Sequence, residues 1–427
     1  MKFSGFLREL TGIVFSFEMV FILFLRVGRF KTAPVFKFVP IDLTLLFLLL
    51  GISLGCIVLI KRQFRLSLAG LKYLFVFLLF LLFTWCSLEW SLSSVYAREK
   101  IIKLTILCLY CVISGSLIIG HDLQRIRRFL LSLLIVDSLI TLQVAVASIH
   151  HAPGTSLNTL VPVGTKGAYL GISSVLCCLL TMLLIFCFFY KKSYRIVILL
   201  PFLFFLIMDV GGRGPLVSMF FSVSLIFILF KLLPLLSDKK ISQRAIKTIL
   251  IIVLMLFGIR LTCAFYRPVQ KRILKSTTIK RFEVIIKQER GGSSVNQRLL
   301  YINDAIDMFF EKPLVGYGIG SFPLIINGID KKNYPHNIIL EVLAELGIIG
   351  GLLYGTFLFL PICRIKHFIN RYVLLEHIII LGLFVYYLLW SFISGTITSV
   401  RELYVFASLL SVAIPNAPKM KSQIHAL

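Results

Sequence analysis

The sequence predicts an all-α protein that crosses a membrane many times, with about twelve transmembrane helices and one large extracytoplasmic loop. Of its 427 residues, 58% are hydrophobic, and the mean hydropathy is +0.95. A soluble core of this size could not bury so much apolar surface. The apolar residues also form runs of about 20, which is the length that a helix needs to cross a bilayer.

The formal net charge of +26 would suggest a nucleic-acid partner in a soluble protein. Here the Lys and Arg residues lie in short clusters between apolar runs, where they set the orientation of the helices, and no nucleic acid is implied. The nine Cys lie inside apolar runs or at their ends, which indicates neither a disulfide framework nor a zinc site. We expect no metal and no cofactor.

The predicted spans follow the apolar runs in chain order. They are residues 11–29, 41–60, 70–88, 101–119, 129–149, 168–190, 195–210, 214–233, 247–265, 336–360, 373–393 and 402–415. The first run contains Glu18 and is followed by basic rather than small residues. We therefore expect a retained helix rather than a cleaved signal peptide.

The distribution of positive charge predicts the orientation of the chain. Lys and Arg concentrate in the segments that share a side with the N-terminus, which predicts cytoplasmic N- and C-termini. Arg26 and Lys100 are among the few basic residues assigned to short outer loops. A large periplasmic loop, 267–335, then separates about nine N-terminal helices (1–266) from about three C-terminal helices (336–427).

The large loop has local structure of its own. Gln297 to Phe310 is predicted to form a helix, and Pro313 to Phe322, with its glycines, a tight irregular turn. The GYGIG stretch within this turn follows a proline rather than a strand, so we do not interpret it as a nucleotide site. It is typical of backbone that turns sharply beside a ligand or a helix.

The tenth predicted span contains unusual residues. Glu341 and Glu345 lie one turn apart in an apolar helix, so we expect them to pair with a basic group or to line a polar cavity. Gly347, Gly351 and Gly355 are spaced four apart. This spacing predicts the close approach of a neighbouring helix.

Three polar residues are predicted to lie at the outer surface. Arg213 lies among glycines in a hairpin, where its planar fork can approach phosphate oxygens. Arg298 lies in the large loop, and His336, followed by Asn337, begins the tenth span. An imidazole at this position can either cap the helix or transfer a proton.

Together these motifs resemble the O-antigen ligase and O-antigen polymerase superfamily. The resemblance rests on GGRGPLV, NQRLLYINDAIDMFFEKPLVGYGIGSF and HN-x9-GIIG, and the similar region spans roughly 196–360. The twelve-helix layout and a WCSLEWS stretch at the end of the third helix agree with it. One departure is Gly212, since members often carry a hydroxyl residue before Arg-Gly.

The resemblance implies a metal-independent glycosyltransferase of the bacterial inner membrane, with its active site on the periplasmic face. It would move a glycan from an undecaprenyl-pyrophosphate carrier to an acceptor hydroxyl. Arg213 and Arg298 would bind the pyrophosphate, and His336 would be the catalytic residue. Asn337, Glu341 and Lys166 are assigned supporting roles.

Four alternatives stay open, three within this class of enzyme and one outside it. A ligase would use lipid A core as acceptor, and a polymerase another lipid-linked glycan; HN-x9-GxxG favours the ligase. Protein O-glycosylation is a further possibility in the same class. A transporter or flippase would show related halves and broken helices near the midplane, whereas here the polar residues gather at one outer face.

Overall fold

The computed structural model describes residues 12–27, 41–149, 168–190, 197, 199–232, 293–369 and 374–412. Throughout these ranges the regular secondary structure is helical, and they contain no β-strand. The predicted all-α class is confirmed for this part of the chain.

Eight helices within these ranges are long and apolar enough to cross a membrane. They are α2 (Leu43–Lys61), α3 (Leu68–Cys86), α4 (Tyr96–Ile119), α5 (Leu123–Ile149), α6 (Ala168–Phe189), α8 (Arg213–Phe230), α11 (Ile338–Ile369) and α12 (Leu375–Ser394).

Five further helices are shorter or less apolar. They are α1 (Phe17–Val27), α7 (Leu199–Val210), α9 (Ser293–Glu311), α10 (Phe322–Asn327) and α13 (Arg401–Val412). Every predicted span except 247–265 overlaps a helix of this set or of the previous one. Residues 247–265 lie outside the described ranges, so the total of about twelve spans stays a prediction, as does the extent of the large loop.

Capping side chains fix the starts of the first long helices. The carboxylate of Asp42 accepts a hydrogen bond from the backbone N–H of Thr44 at 2.8 Å, and the Ser67 hydroxyl accepts one from Gly70 at 3.1 Å. Between these helices Gln63 and Phe64 adopt φ values of 52° and 53°. This left-handed backbone makes the tight connection from α2 to α3.

Contacts between helix ends define the two ends of the bundle. At one end Arg62 donates to the carbonyl of Ile118 at 3.2 Å, and Arg127 pairs with Glu376 at 2.6 Å. The opposite end, which we call the site end, consists of residues 87–97, 211–214, 313–337 and 393–401. There, for example, the Ser91 hydroxyl donates to the carbonyl of Ile319 at 2.7 Å.

A buried ion network crosses the middle of the bundle. The guanidinium of Arg26 contacts both carboxylate oxygens of Asp137 at 2.9 and 2.8 Å, and one oxygen of Glu402 at 3.0 Å. It also donates to the hydroxyl of Tyr387 at 3.0 Å. The assignment of Arg26 to an outer loop is therefore wrong: its side chain is fully buried and joins α1, α5, α12 and α13.

The predicted helix contact at the glycines of α11 is also wrong. Gly347 interrupts the helix, with φ 61° and ψ −163°, and a chain segment rather than a helix packs there. The N–H groups of Ile348 and Ile349 donate to the carbonyls of Pro313 and Leu314 at 2.8 and 3.2 Å. A Cβ at Gly355 would meet no atom within 4 Å.

Candidate active site

Three glycines with positive φ form a tight turn at the site end, residues 316–320, which we call the glycine turn. Gly316, Gly318 and Gly320 have φ values of 66°, 88° and 78°, which other residues rarely adopt. The N–H of Gly318 donates to the carbonyl of Glu345 at 2.8 Å, and a Cβ at Gly320 would lie 2.7 Å from Cα of Ala97. The predicted helix over 297–310 and the predicted tight turn after it are both confirmed.

His336 lies directly before α11 in an unusual backbone conformation. Its φ of 62° places a non-glycine residue in the left-handed region, where strain persists only if the surroundings enforce it. Its ring centroid lies 4.4 Å from that of Tyr334. Nδ1 is buried and has no hydrogen-bond partner among the described residues. The imidazole therefore has hydrogen-bonding capacity that the described part of the chain leaves unused.

Asn337 caps α11. Its side-chain oxygen accepts hydrogen bonds from the N–H groups of Ile339 and Leu340 at 3.0 and 3.2 Å. The sequence left two roles open for His336, helix capping or proton transfer, and the side chain of Asn337 already performs the capping. His336 is released from that role.

Arg298 is directed towards the same region from α9. Its guanidinium donates to the carbonyl of Ile393 at 3.4 Å, just before the end of α12. One turn further along α9, the hydroxyl of Tyr301 accepts a hydrogen bond from the side-chain amide of Asn333 at 2.9 Å, which ties this helix to the loop that carries His336. Burial and the positive charge of Arg298 lower the pKa of His336 to about 4.

Arg213 is the first residue of α8 and follows a tight turn. Gly211 has φ 88°, and a Cβ at Gly214 would lie 3.2 Å from the Ile393 side chain. The start of α8, where Arg213 lies, and the guanidinium of Arg298 therefore border the same residue, Ile393. Both arginines are half-buried.

The structure gives a physical reason for glycine at position 212. The side chain of Ser173 on α6 occupies the space that a Cβ of residue 212 would need. Its hydroxyl donates to the carbonyl of Gly212 at 3.3 Å. A hydroxyl thus lies beside the residue before Arg213, although it comes from a different helix.

Glu341 and Glu345 pair with a basic group, as predicted, and that group is Lys100. Its ammonium lies 2.6 Å from Glu341 and 2.5 Å from Glu345, with all three side chains buried. The assignment of Lys100 to a short outer loop as an orienting charge is therefore wrong. Because Glu341 also accepts a hydrogen bond from the N–H of Ile397 at 2.9 Å, its carboxylate is held by protein groups.

Asp330 is a site-end residue that sequence reasoning missed. Its carboxylate accepts hydrogen bonds from the N–H groups of Val95 and Tyr96 at 2.8 and 3.0 Å, and from the Ser93 hydroxyl at 2.6 Å. Burial raises its pKa, but these donors outweigh that effect and lower the pKa to about 2. No local pattern relates Asp330 to a helix start more than 200 residues earlier; only the fold does.

Of the six predicted site residues, Lys166 lies outside the described residues. Among those that the structure describes, no three His, Cys, Asp or Glu residues come together as a group that could hold a metal ion.

Comparisons with known proteins give one informative result. Among curated proteins, none matches the chain. Residues 197–355, which include Arg213, Arg298, His336 and Glu341, match the protein family described as O-antigen ligase. This match confirms the resemblance that the motifs indicate.

Proposed function

We propose that this chain is a membrane glycosyltransferase that moves a glycan from an undecaprenyl-pyrophosphate carrier to an acceptor hydroxyl. Lipid A core is the proposed acceptor, which makes the protein an O-antigen ligase. In this proposal the site end faces the periplasm from the bacterial inner membrane, both termini are cytoplasmic, and no metal takes part. The observation that carries the proposal is that Arg298 and the start of α8, where Arg213 lies, border Ile393, while the hydrogen bond from Asn333 to Tyr301 ties the helix of Arg298 to the loop of His336.

Two arginines suit the leaving group. A pyrophosphate gains negative charge as it leaves, and a guanidinium can bind its oxygens through two parallel hydrogen bonds. Arg298 makes one long hydrogen bond, at 3.4 Å, to the carbonyl of Ile393. Exchange of that contact for charged phosphate oxygens would be favourable, since hydrogen bonds between charged groups are shorter and stronger.

The proposed reaction is a direct displacement. The acceptor oxygen forms a bond to the anomeric carbon, the bond from that carbon to the pyrophosphate oxygen breaks, and the pyrophosphate leaves with the electron pair. The proton of the acceptor hydroxyl passes to His336. A pKa of about 4 leaves the imidazole neutral at physiological pH, so it can accept that proton.

Donor binding would strengthen this base. The positive charge of Arg298 is one of the two causes that lower the pKa of His336. A bound pyrophosphate would offset that charge and raise the pKa towards neutrality, where a general base is most effective. The base would thus be strongest when the leaving group is in place.

Deletion of the gene in its native bacterium, followed by electrophoresis of the lipopolysaccharide, tests the proposal. A ligase predicts loss of all long chains, with polymer accumulating on the lipid carrier. A single repeat unit on each core would identify a polymerase instead. An unchanged lipopolysaccharide profile would contradict the proposed function.

A further inference from the structure

We propose that Lys100 is a positioning residue for this glycosyl transfer. It holds the segments that carry Arg298 and His336 in one arrangement, and it makes no contact with substrate itself. The inference rests on the proposed function of the site. It concerns a residue on α4, outside every motif that the sequence singled out.

Lys100 forms a fully buried ion triad. Its ammonium contacts Glu341 at 2.6 Å and Glu345 at 2.5 Å, and the exposed fractions of the three side chains are 0%, 0% and 1%. Burial of three charges is costly, and apolar side chains of similar volume often give equal or greater stability. The triad therefore serves mainly to orient the chain segments that it joins, and adds little to the stability of the fold.

Each carboxylate extends the triad to another segment. Glu345 accepts a hydrogen bond from the N–H of Gly320 at 2.9 Å, which fixes the glycine turn. Glu341 accepts one from the N–H of Ile397 at 2.9 Å, which fixes the turn after α12. One ammonium thus connects α4, α11, the glycine turn and the turn after α12.

These segments are the ones that place the candidate catalytic groups. His336 precedes α11, and the N–H of Glu341 donates to the carbonyl of Asn337 at 3.0 Å. Glu341 fixes the turn after α12 through the N–H of Ile397. This turn follows Ile393, whose carbonyl accepts the hydrogen bond from Arg298. The glycine turn lies in the chain between Arg298 and His336. A shift in the triad therefore changes the position of the imidazole relative to the guanidinium.

The expected effect of such a shift is on the rate of transfer. Misplacement of reacting groups by about 1 Å can lower a rate by about 100-fold, even when the change lies away from the chemistry. Donor binding depends mainly on the arginines, so it should change far less. A positioning role therefore predicts a lower kcat at nearly constant donor Kd.

The test compares charge-balanced variants. Lys100→Met alone leaves two buried carboxylates without their cation, and we expect poorly folded protein. The triple variant Lys100→Met, Glu341→Gln, Glu345→Gln removes all three charges and should fold. Lys103→Met, one turn along α4, where the partly exposed ammonium pairs only with Glu99 among the described residues, is the matched control.

Each purified protein is first checked by size exclusion and thermal unfolding, and donor Kd and kcat are then measured in nanodiscs with lipid-linked donor. We expect the triple variant and Lys100→Arg to keep donor affinity and to lose about 10- to 100-fold in kcat. The control should match wild type. A folded triple variant with wild-type kcat would reduce Lys100 to a structural ion pair.

A second measurement does not depend on activity. Spin labels at the exposed positions Arg98, on α4, and Ser399, in the turn after α12, report the distance between two segments that the triad connects, in a background without reactive native cysteines. We expect a narrow distribution in wild type and a broader one in the triple variant. Identical distributions would contradict the positioning role, whereas an inactive wild-type protein would contradict the proposed function alone.

Discussion

Arg298 and His336 are electrostatically coupled, although they lie on different segments of the chain. Burial of the imidazole and the positive charge of Arg298 lower the pKa of His336 from 6.5 to about 4. The candidate base is therefore neutral at physiological pH, and its strength depends on the charge next to it.

The first prediction concerns this coupling. Arg298→Gln removes one of the two causes that lower the pKa of His336, so the pKa should rise from about 4 part of the way to 6.5, because burial persists. The pH dependence of diethyl pyrocarbonate modification of His336, read by mass spectrometry, measures the shift. Arg127→Gln at the other end of the bundle is the control, and an unchanged pKa in Arg298→Gln would contradict the coupling.

The second prediction concerns Asp330. Asp330→Ala removes the side chain that caps the start of α4, and loss of a capping carboxylate destabilises proteins by about 1 kcal/mol. We expect a lower Tm for this variant and wild-type behaviour for Asp307→Asn on the exposed face of α9.

The pH dependence of this contribution follows from the lowered pKa. Asp330 should stabilise the protein fully at pH values above its ordinary pKa of 3.8, and the contribution should disappear as pH falls through about 2. The difference in Tm between wild type and Asp330→Ala should therefore be constant near neutral pH. A difference that varies there would contradict the capping role.

The third prediction concerns the buried network around Arg26. Arg26→Met leaves Asp137 and Glu402 without their shared cation, and loss of one partner of a buried ion pair costs about 3 to 5 kcal/mol. We expect little folded protein in detergent by size exclusion. Arg127→Met, which breaks an exposed pair with Glu376, should cost less than about 1 kcal/mol, and equal yields of the two variants would contradict the account.

The fourth prediction tests the space at position 212. Gly212→Ser should be destabilised because its Cβ would overlap the side chain of Ser173, and overpacking costs about 1 to 3 kcal/mol. Combination with Ser173→Gly removes the overlap and transfers the hydroxyl to position 212. The double variant should recover Tm and activity; a double variant no better than Gly212→Ser would refute the steric explanation.

Most of the helices could be predicted because hydropathy over a window of about 20 residues reports what a bilayer requires. The helix that carries Arg298 and the glycine turn after it were predictable from local patterns. The pairing of Glu341 and Glu345 with a base was also predictable, because charges within an apolar span need a partner.

The identity of that partner was not predictable. Lys100 and Arg26 lie near the ends of apolar runs, and in one dimension such residues cannot be distinguished from orienting charges at a membrane surface. Only the fold brings Lys100 to Glu341 and Glu345, and Arg26 to Asp137 and Glu402, and so buries these charges. The role of Gly347 was mispredicted for a similar reason. Its spacing suggested a contact with another helix, whereas the missing side chain leaves room for the backbone of Pro313 and Leu314.

Transfer by His336→Ala at saturating acceptor shows whether His336 is the general base. In nanodiscs with purified lipid-linked donor, and with His121→Ala as a folded control, loss of a general base should lower kcat by about 100-fold or more while donor Kd stays near wild type. Substantial transfer by folded His336→Ala would contradict the assignment of His336 as the base.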